Sequence, residues 1–351
     1  MTSSDQPPGD ETGDVIVERR GQVGVLTLNR PQAINAITLP MVRELAHALH
    51  ELEAERDIRT IVLRGAGARG FSAGGDMVTA SLGAQAGDPA AARFFTEEYA
   101  LNARIAGAST PLVALMDGIV LGGGVGLTGH ASHRWVTERA RVGMPEVAIG
   151  FVPDVGGTWL LSRAPGELGT YAGLTGNHLT AADAILLGLA DRLIDSASMD
   201  AMVARLAAGE PADDVALAGV VPPADAAPLA ADRHWIDTCF AADDVITIVE
   251  RLRAHPSERA HAAADVIATR SPLALVVTLR ALRRARTLTT LEDCLALEHS
   301  TVMEFLVTPD LHEGVRAALI DKDRNPQWRP ATLAEVDPAV VDAFFRRFDE
   351  R

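Results

Sequence analysis

The strongest constraint on the fold is an alternation of strand and helix patterns through the first 150 residues. Short runs of β-branched and other apolar residues, several of them ending at glycine or proline, alternate with amphipathic stretches long enough to form a helix. Strands and helices that alternate at this spacing predict α/β packing, in which helices cover a sheet. The predicted strands lie at 14–31 (two strands joined by a glycine turn), 58–67, 111–124 and 134–150 (two strands), and the predicted helices at 38–57 and 91–109.

The pattern changes near residue 196. Residues 196–234 are rich in Ala, Pro and Asp and have weak periodicity, which predicts a helix followed by a linker. Residues 235–351 have helical patterns with polar faces almost throughout. We therefore expect a disordered tail over 1–14, an α/β core over 15–195, and a helical C-terminal region after the linker.

The charge of the chain excludes several kinds of partner. With a net charge of -15, it does not suit binding to nucleic acid or to an anionic membrane. Lys322 is the only lysine, so a phosphate group on a ligand must be met by arginine, by backbone N–H groups or by a helix N-terminus. Residues 1–14 lack the features of a signal peptide, and no apolar run is as long as a membrane span, so we expect a cytoplasmic protein.

Cysteine and histidine form no pattern typical of a metal site. Cys239 and Cys294 lie far apart and outside any CxxC motif, which favours two small buried hydrophobic residues over a disulfide or a zinc site. His130 and His133 have no acidic or cysteine partner at a metal-binding spacing. We therefore expect no metal.

Two glycine-rich segments follow predicted strands. Residues 124–129 match GxGxxG, but the next strand follows within a few residues, which does not fit a nicotinamide-binding unit. In the other interpretation, Gly122–Gly124 and "FSAGGD" (71–76) form turns with exposed backbone N–H groups. Two such turns can donate two hydrogen bonds to one oxygen. The alternative is that both are tight turns needed only for packing.

The stretch "MPEVAIGFVPDVGG" (144–157) places two carboxylates, Glu146 and Asp154, in apolar surroundings. Burying an ionised carboxylate without a partner is costly or raises its pKa, so such groups indicate a functional site. The alternatives are a solvated loop position for Glu146 and a cap on the helix near Gly156 for Asp154. Glu98 lies on a predicted helix, whose exposed face would carry charges in any case.

Four segments together resemble one known family. "FSAGGD", "MDGIVLGGGVGLTGH", "MPEVAIGFVPDVGG" and "HEGVRAALIDKDRNPQW" are similar to the crotonase (enoyl-CoA hydratase/isomerase) superfamily, and more narrowly to its 3-hydroxyisobutyryl-CoA hydrolase branch. The similarity runs in order from about residue 15 to 335. It implies a spiral of ββα units with a helical C-terminal region.

The resemblance also implies roles for individual residues. The backbone N–H groups of Gly75 and Gly123 form an oxyanion hole for a thioester carbonyl. Glu146, Asp154 and Glu98 match the acidic positions beside the acyl group. The positions that match contacts to the adenine end of coenzyme A are Ala73, Gln32 and Ala33.

One departure from the family pattern bears on the reaction. Crotonase hydratases place a second catalytic glutamate two residues after the GGG turn, where this chain has Gly126. Hydration uses one carboxylate as base and one as acid, so the absence of the second glutamate favours thioester hydrolysis. The expected reaction converts 3-hydroxyisobutyryl-CoA to 3-hydroxyisobutyrate and CoA, a step of valine catabolism. Glu146 would act as nucleophile or general base, and Asp154 would orient the 3-hydroxyl or the water.

Two other functions stay open at this point. One is an enoyl-CoA hydratase or isomerase, and the other is a catalytically idle CoA-binding protein with the same fold. In each case the ligand is an acyl-CoA, and no cofactor other than the coenzyme A of the substrate is expected. A homo-oligomer is possible, because crotonases commonly assemble, but the long C-terminal region could cover the surface used for assembly.

Overall fold

The computed structural model describes residues 13–351, so the predicted tail over 1–14 lies almost wholly outside the described residues. Within 13–351 the chain forms nine strands in two sheets. The larger sheet has the order β1-β2-β3-β5-β7-β9, with β1 and β2 antiparallel and the other pairs parallel. The smaller sheet has the parallel order β4-β6-β8. The strands are β1 Val15–Arg20, β2 Val23–Leu28, β3 Thr60–Gly65, β4 Gly70–Ser72, β5 Leu112–Met116, β6 Ile119–Leu121, β7 His133–Thr137, β8 Arg141–Gly143 and β9 Arg192–Ile194.

Sixteen α-helices occur in the described residues, together with short 3-10 turns and a π-helical turn at Arg316–Ile320. They are α1 Leu39–Ala54, α2 Met77–Gln85, α3 Pro89–Ala106, α4 Gly123–Thr128, α5 Gly157–Ser162, α6 Leu168–Thr175, α7 Ala181–Leu186, α8 Met199–Ala207, α9 Ala212–Ala216, α10 Arg233–Phe240, α11 Val245–Ala254, α12 Glu258–Ala268, α13 Pro272–Ala285, α14 Leu291–Phe305, α15 Pro309–Val315 and α16 Pro338–Asp349.

The order of the elements confirms the predicted ββα units. Each of the pairs β3–β4, β5–β6 and β7–β8 places its first strand in the larger sheet and its second strand in the smaller one, and a helix or helical turn follows. The repetition brings the ends of β4, β6 and β8 side by side. The glycine turns and the segment that carries Glu146 start from these ends.

The first predicted helix forms where its sequence signals place it. The Thr38 side chain accepts a hydrogen bond from the N–H of Met41, and Pro40 lies in the first turn, so α1 begins with both start signals that the sequence carries. Its apolar stripe, which includes Leu45 and Leu49, is buried. The helix thereby covers one face of the larger sheet.

The opposite face of that sheet is covered by the segment predicted to be a helix and linker. Val23 and Val25 of β2 pack in a cluster with Met202 and Leu206 of α8, whereas Leu26 belongs to the main core on the other face. Both faces of β2 are therefore buried, as is usual for strands within a parallel sheet.

The C-terminal helices share their core with the α/β part. A single hydrophobic cluster includes Phe95 and Phe151 of the α/β part and Phe305 and Phe344 of the C-terminal helices. No single helix among residues 13–351 is long and apolar enough to cross a membrane. The consecutive helices α12 and α13 reach that length and hydropathy only together, and they are bent by 114° relative to each other.

Candidate active site

The candidate active site is a cavity of about 270 Å³ where the two glycine turns meet α3 and the segment after β8. It contains five of the predicted site residues and one from the predicted CoA-binding set. Aromatic and aliphatic side chains form the rest of the wall, and Leu319 contributes from the C-terminal segment that carries the family resemblance. The lining residues are Ala73, Gly74, Gly75, Met77, Phe94, Phe95, Glu98, Leu121, Gly122, Gly123, Pro145, Glu146, Ala148, Ile149, Phe151, Asp154, Val155 and Leu319.

The two glycine turns lie against each other. Gly74 and Gly122 have positive φ angles of 100° and 50°, which glycine adopts without the steric cost that other residues incur. A Cβ placed at Gly123 would lie 3.2 Å from the backbone nitrogen of Gly75. Neither the Gly75 N–H nor the Gly123 N–H donates to another group within residues 13–351. Two free donors therefore lie close together on the wall of the cavity.

Glu98 lies on the buried side of α3. Its side chain is 2% exposed, so the alternative that it belongs to the exposed face of the helix is wrong. A Cβ at Gly123 would lie 2.7 Å from Glu98 Oε1, and this oxygen has no hydrogen-bond partner in the described part of the chain. Burial, and secondarily the charge of Asp154, raises the pKa of Glu98 well above its usual range.

Glu146 begins the 3-10 turn Glu146–Ile149, directly after Pro145. Its side chain is 7% exposed, which rules out a solvated loop carboxylate. Oε1 lies 2.6 Å from where a Cβ of Gly122 would be, and Oε2 is buried without a partner among residues 13–351. Burial and the neighbouring Asp154 raise the pKa of Glu146 well above its usual range. A carboxylate thus lies beside the second glycine turn with an oxygen free to react.

Asp154 is held by a tyrosine rather than by a helix end. Its Oδ2 accepts a hydrogen bond of 2.7 Å from the hydroxyl of Tyr99, which is also buried. The N–H groups of Gly156 and Thr158 at the start of α5 donate to Glu298 and not to the Asp154 side chain, so the alternative that Asp154 caps this helix is wrong. Burial raises the pKa of Asp154 to about 7, although the bond from Tyr99 lowers it.

The turn after Asp154 is held from both sides. Val155 has a φ of 53°, which is rare for a β-branched residue and indicates local strain. The Nε2–H of His130 donates to the Val155 carbonyl at 2.9 Å, and burial lowers the pKa of His130 to about 4, which keeps the ring neutral. From the other side, Glu298 on α14 accepts from the N–H groups of Gly156 and Thr158 at 2.7 and 2.8 Å.

The position of the missing hydratase glutamate is closed by packing. A Cβ placed at Gly126 would lie 2.5 Å from Cβ of Val155 and 3.1 Å from Nδ2 of Asn102. Real Cβ atoms do not approach other carbon atoms so closely. A glutamate at this position would therefore require the strained Asp154 turn to move.

The predicted CoA-binding residues are only partly brought together. Ala73 lines the cavity and donates its N–H to the carbonyl of Ile34 at 2.9 Å. Gln32 and Ala33 form the 3-10 turn just before Ile34, outside the cavity, and the Gln32 carbonyl accepts from Arg69. These residues lie along one edge of the site, next to the glycine turn at Gly75.

Sequence reasoning missed three buried polar residues around the site. Tyr99 follows Glu98 directly, and that adjacency was its only local signal. Glu298 and Asn102 had no signal, because each lies within an ordinary helical pattern and meets the site only in three dimensions. Among residues 13–351, no three His, Cys, Asp or Glu side chains are arranged to hold a metal ion.

The ββα spiral with two free N–H groups beside buried carboxylates defines a crotonase-type protein. The sequence profile described as enoyl-CoA hydratase/isomerase matches residues 23–345, and the chain belongs to this family. It is 39% identical to the 3-hydroxyisobutyryl-CoA hydrolase, mitochondrial, of Rattus norvegicus over 97% of this chain and 91% of the relative. The protein of the same name from Homo sapiens is 37% identical over 96% of this chain and 89% of the relative.

Two solved structures share both fold and sequence with this chain. A carnitinyl-CoA dehydratase from Mycobacterium thermoresistibile is 49% identical with a TM-score of 0.91, covering 95% of this chain and 96% of that one. An enoyl-CoA hydratase from Rhodobacter sphaeroides 2.4.1 is 39% identical with a TM-score of 0.87, covering 95% and 97%. The predicted family and fold are confirmed, while the names of the relatives divide between hydrolase and hydratase or dehydratase.

Proposed function

We propose that this protein hydrolyses 3-hydroxyacyl-CoA thioesters, with 3-hydroxyisobutyryl-CoA as its main substrate. The observation that carries the proposal is the contrast between Glu146 and Gly126. Glu146 lies beside the second glycine turn with a free oxygen, while packing closes the position at which crotonase hydratases carry their second catalytic glutamate. The names of the curated relatives, at 34–39% identity over most of the chain, support the same reaction.

The thioester carbonyl binds between the N–H groups of Gly75 and Gly123. As the carbonyl carbon becomes tetrahedral, its oxygen gains negative charge, and the two donors stabilise that charge without having to reorganise. Removal of one such donor typically costs about 3–4 kcal/mol of transition-state stabilisation. The pair is therefore the largest single contribution that we expect to the rate.

Glu146 supplies the attack on the carbonyl carbon. In one route its carboxylate forms a mixed anhydride and expels the CoA thiolate, and water then cleaves the anhydride. In the other route it removes a proton from a water that attacks directly, and the thiolate leaves as the carbonyl re-forms. Both routes need the ionised carboxylate, so the raised pKa of Glu146 makes the rate increase as the pH rises toward that pKa.

Asp154 and Glu98 hold the acyl group and the water. Tyr99 occupies Oδ2 of Asp154, which leaves Oδ1 to accept a hydrogen bond from the 3-hydroxyl of the substrate or from the water. A site built to bind a hydroxyl disfavours substrates that lack it, because the buried partner is then left unpaired. Glu98, with a free oxygen beside Gly123, has a supporting role in this polar pocket.

Coenzyme A enters as part of the substrate, and we propose that the reaction uses neither a metal nor a nicotinamide. Its adenine end would lie near Ala73, Gln32 and Ala33. The cytoplasm is our proposed location, although the curated relatives carry the word mitochondrial in their names.

A second candidate is an enoyl-CoA hydratase or dehydratase. The observation that favours it is the 49% identity to a carnitinyl-CoA dehydratase of known structure. In this interpretation Asp154 would have to provide the second acid–base group in place of the missing glutamate. The packing around Gly126 and the bond that Tyr99 makes to Asp154 favour hydrolysis.

A parallel assay separates the candidates. The protein is incubated with 3-hydroxyisobutyryl-CoA and with crotonyl-CoA, and thiol release and loss of enoyl absorbance are followed. Hydrolysis predicts thiol release from the first ester and little change in the second. Loss of absorbance without thiol release would establish a hydratase, and no reaction with either ester, together with CoA binding, would indicate an idle scaffold.

A further inference from the structure

A second cavity of about 260 Å³ lies next to the active site, between the start of α1, α2 and α3. Its wall is mainly apolar, with Ile37, Leu39, Ala80 and Ala91 among the lining residues. The two carboxylates that border it are already engaged as helix caps, since Asp76 accepts from the Thr79 N–H and Asp88 from the Ala90 N–H. The space therefore suits an apolar group and takes no part in the proposed chemistry.

Phe94 is the wall that the two cavities share. It lines both of them and is 6% exposed. Its ring packs against the backbone of Gly75, because a Cβ placed there would lie 3.1 Å from Cζ of the ring. An edge-to-face contact with Phe95, with ring centroids 5.1 Å apart, holds the ring in place. The barrier thus lies directly beside one of the two oxyanion donors.

Phe95 offers an internal comparison on the same helix. It also lines the active-site cavity, but it does not border the second cavity. Its ring packs instead against Phe151 and Tyr99. The same substitution at positions 94 and 95 therefore removes a buried ring from the active site in both cases and opens the second cavity in only one.

We infer that Phe94 determines the largest acyl group that the enzyme accepts. The ring closes the acyl pocket at the wall shared with the second cavity, and its removal joins the two into one apolar channel long enough for a straight acyl chain of medium length. The inference rests on the proposed function, since it takes the acyl group to lie beside Gly75 and Gly123.

The test compares F94L and F95L with the wild type. For each protein kcat/KM is measured with 3-hydroxyisobutyryl-CoA and with 3-hydroxyoctanoyl-CoA. F94L is expected to raise the ratio of the long to the short ester about tenfold, because added methylene groups are then buried in apolar space. F95L is expected to change the ratio less than about twofold. An equal change of the ratio in both variants, or none in F94L, would overturn the inference.

A filling substitution provides the second control. The Cβ of Ala91 lies 3.7 Å from where a Cβ of Gly83 would be, and both residues line the second cavity but not the active-site cavity. A91L is expected to leave the wild-type activity unchanged, because the natural acyl group does not reach it. In the F94L background it is expected to remove the gain on the long ester. A gain that survives A91L would mean that the chain does not enter the second cavity.

A binding measurement separates this inference from the reaction itself. The thioethers S-isobutyl-CoA and S-octyl-CoA cannot be hydrolysed, so their Kd values can be measured by calorimetry whatever reaction the enzyme catalyses. F94L should favour the octyl thioether over the isobutyl thioether about tenfold relative to wild type. If F94L shifts the Kd values but the wild type does not hydrolyse 3-hydroxyisobutyryl-CoA, the proposed function is refuted and the role of Phe94 is supported. If the wild type hydrolyses this ester but F94L does not shift the Kd values, the proposed function is supported and the role of Phe94 is refuted.

Discussion

The active-site cavity and the C-terminal helices both bury carboxylates, but the two regions differ in the hydrogen bonds that these carboxylates accept. In the active-site cavity, Glu98 Oε1 and Glu146 Oε2 have no hydrogen-bond partner within residues 13–351. In the C-terminal helices, Glu298 accepts from two backbone N–H groups and from the hydroxyl of Thr158. Asp310 likewise accepts from the Ser271 hydroxyl and the Arg329 N–H.

This difference teaches that burial alone does not identify a functional carboxylate. Burial raises the pKa of Glu146 and raises that of Glu298 to about 8, so the shifts do not separate the two sites. What separates them is the number of hydrogen bonds. A buried acceptor without a partner costs free energy, so a carboxylate oxygen in that state on the wall of a cavity indicates that a ligand or a reaction supplies the missing partner.

The largest effect is expected for Glu146→Gln. An amide can act neither as nucleophile nor as base, so kcat should fall about 10³-fold or more while CoA binding persists. Because the variant removes a buried carboxylate that lacks a partner, its Tm should equal or exceed that of the wild type. Thiol release and thermal unfolding are measured on the same preparation. Near-wild-type turnover would show that Glu146 is not the reacting group.

Glu298→Ala should lower the stability of the fold, whereas Glu146→Gln should not. It leaves two backbone N–H groups and a hydroxyl buried without an acceptor, so the free energy of unfolding should fall by about 3 kcal/mol or more. Urea unfolding measures the loss, with Glu304→Ala, on the more exposed side of α14, as the control. A variant as stable as the wild type would contradict the assignment of Glu298 as a structural carboxylate.

Asp154 lies between the two groups, since it lines the active-site cavity and one of its oxygens accepts from the hydroxyl of Tyr99. Asp154→Asn should lower kcat/KM more for 3-hydroxyisobutyryl-CoA than for isobutyryl-CoA, because only the first has a hydroxyl to hold. A hydrogen bond to a charged acceptor is worth about 1.5–3 kcal/mol, or roughly ten- to a hundredfold. Equal losses on the two esters would mean that Asp154 does not contact the 3-hydroxyl.

The same contrast explains what the sequence reveals. The ββα order, the glycine turns and Glu146 could be predicted because each depends on residues within a short segment, and the family motifs fall on those segments. The apolar surroundings of residues 144–157, together with the family resemblance, also marked the position of Asp154. These are local signals, and the structure places them at one edge of the smaller sheet.

The partners of these residues could not be predicted, because they come from distant parts of the chain. Tyr99 meets Asp154 across 55 positions, and Glu298 meets Gly156 across 142. The hydrogen-bond count that separates the two kinds of carboxylate is therefore a property of the fold. For the same reason the sequence left a helix cap open as the alternative for Asp154, whereas in the structure Glu298 accepts from the N–H groups at the start of α5.

The smallest effect is expected for Tyr99→Phe, which takes the only assigned partner from Asp154 and makes it resemble the other pocket carboxylates. The Tyr99 hydroxyl stabilises the ionised carboxylate, so its loss should raise the pKa of Asp154 from about 7. An acid with a raised pKa is ionised only at higher pH. The pH profile of kcat/KM should therefore shift to higher pH, with a loss of a few-fold at neutral pH, because the Asp154 carboxylate, about half ionised there in the wild type, becomes mostly protonated. Most of the activity should return above the new pKa.

Tyr171→Phe is the matched control, because that partly buried hydroxyl accepts from Asn177 away from the site. A uniform loss at every pH would show that Tyr99 supports only packing, and an unchanged profile would show that the ionisation of Asp154 does not limit the reaction.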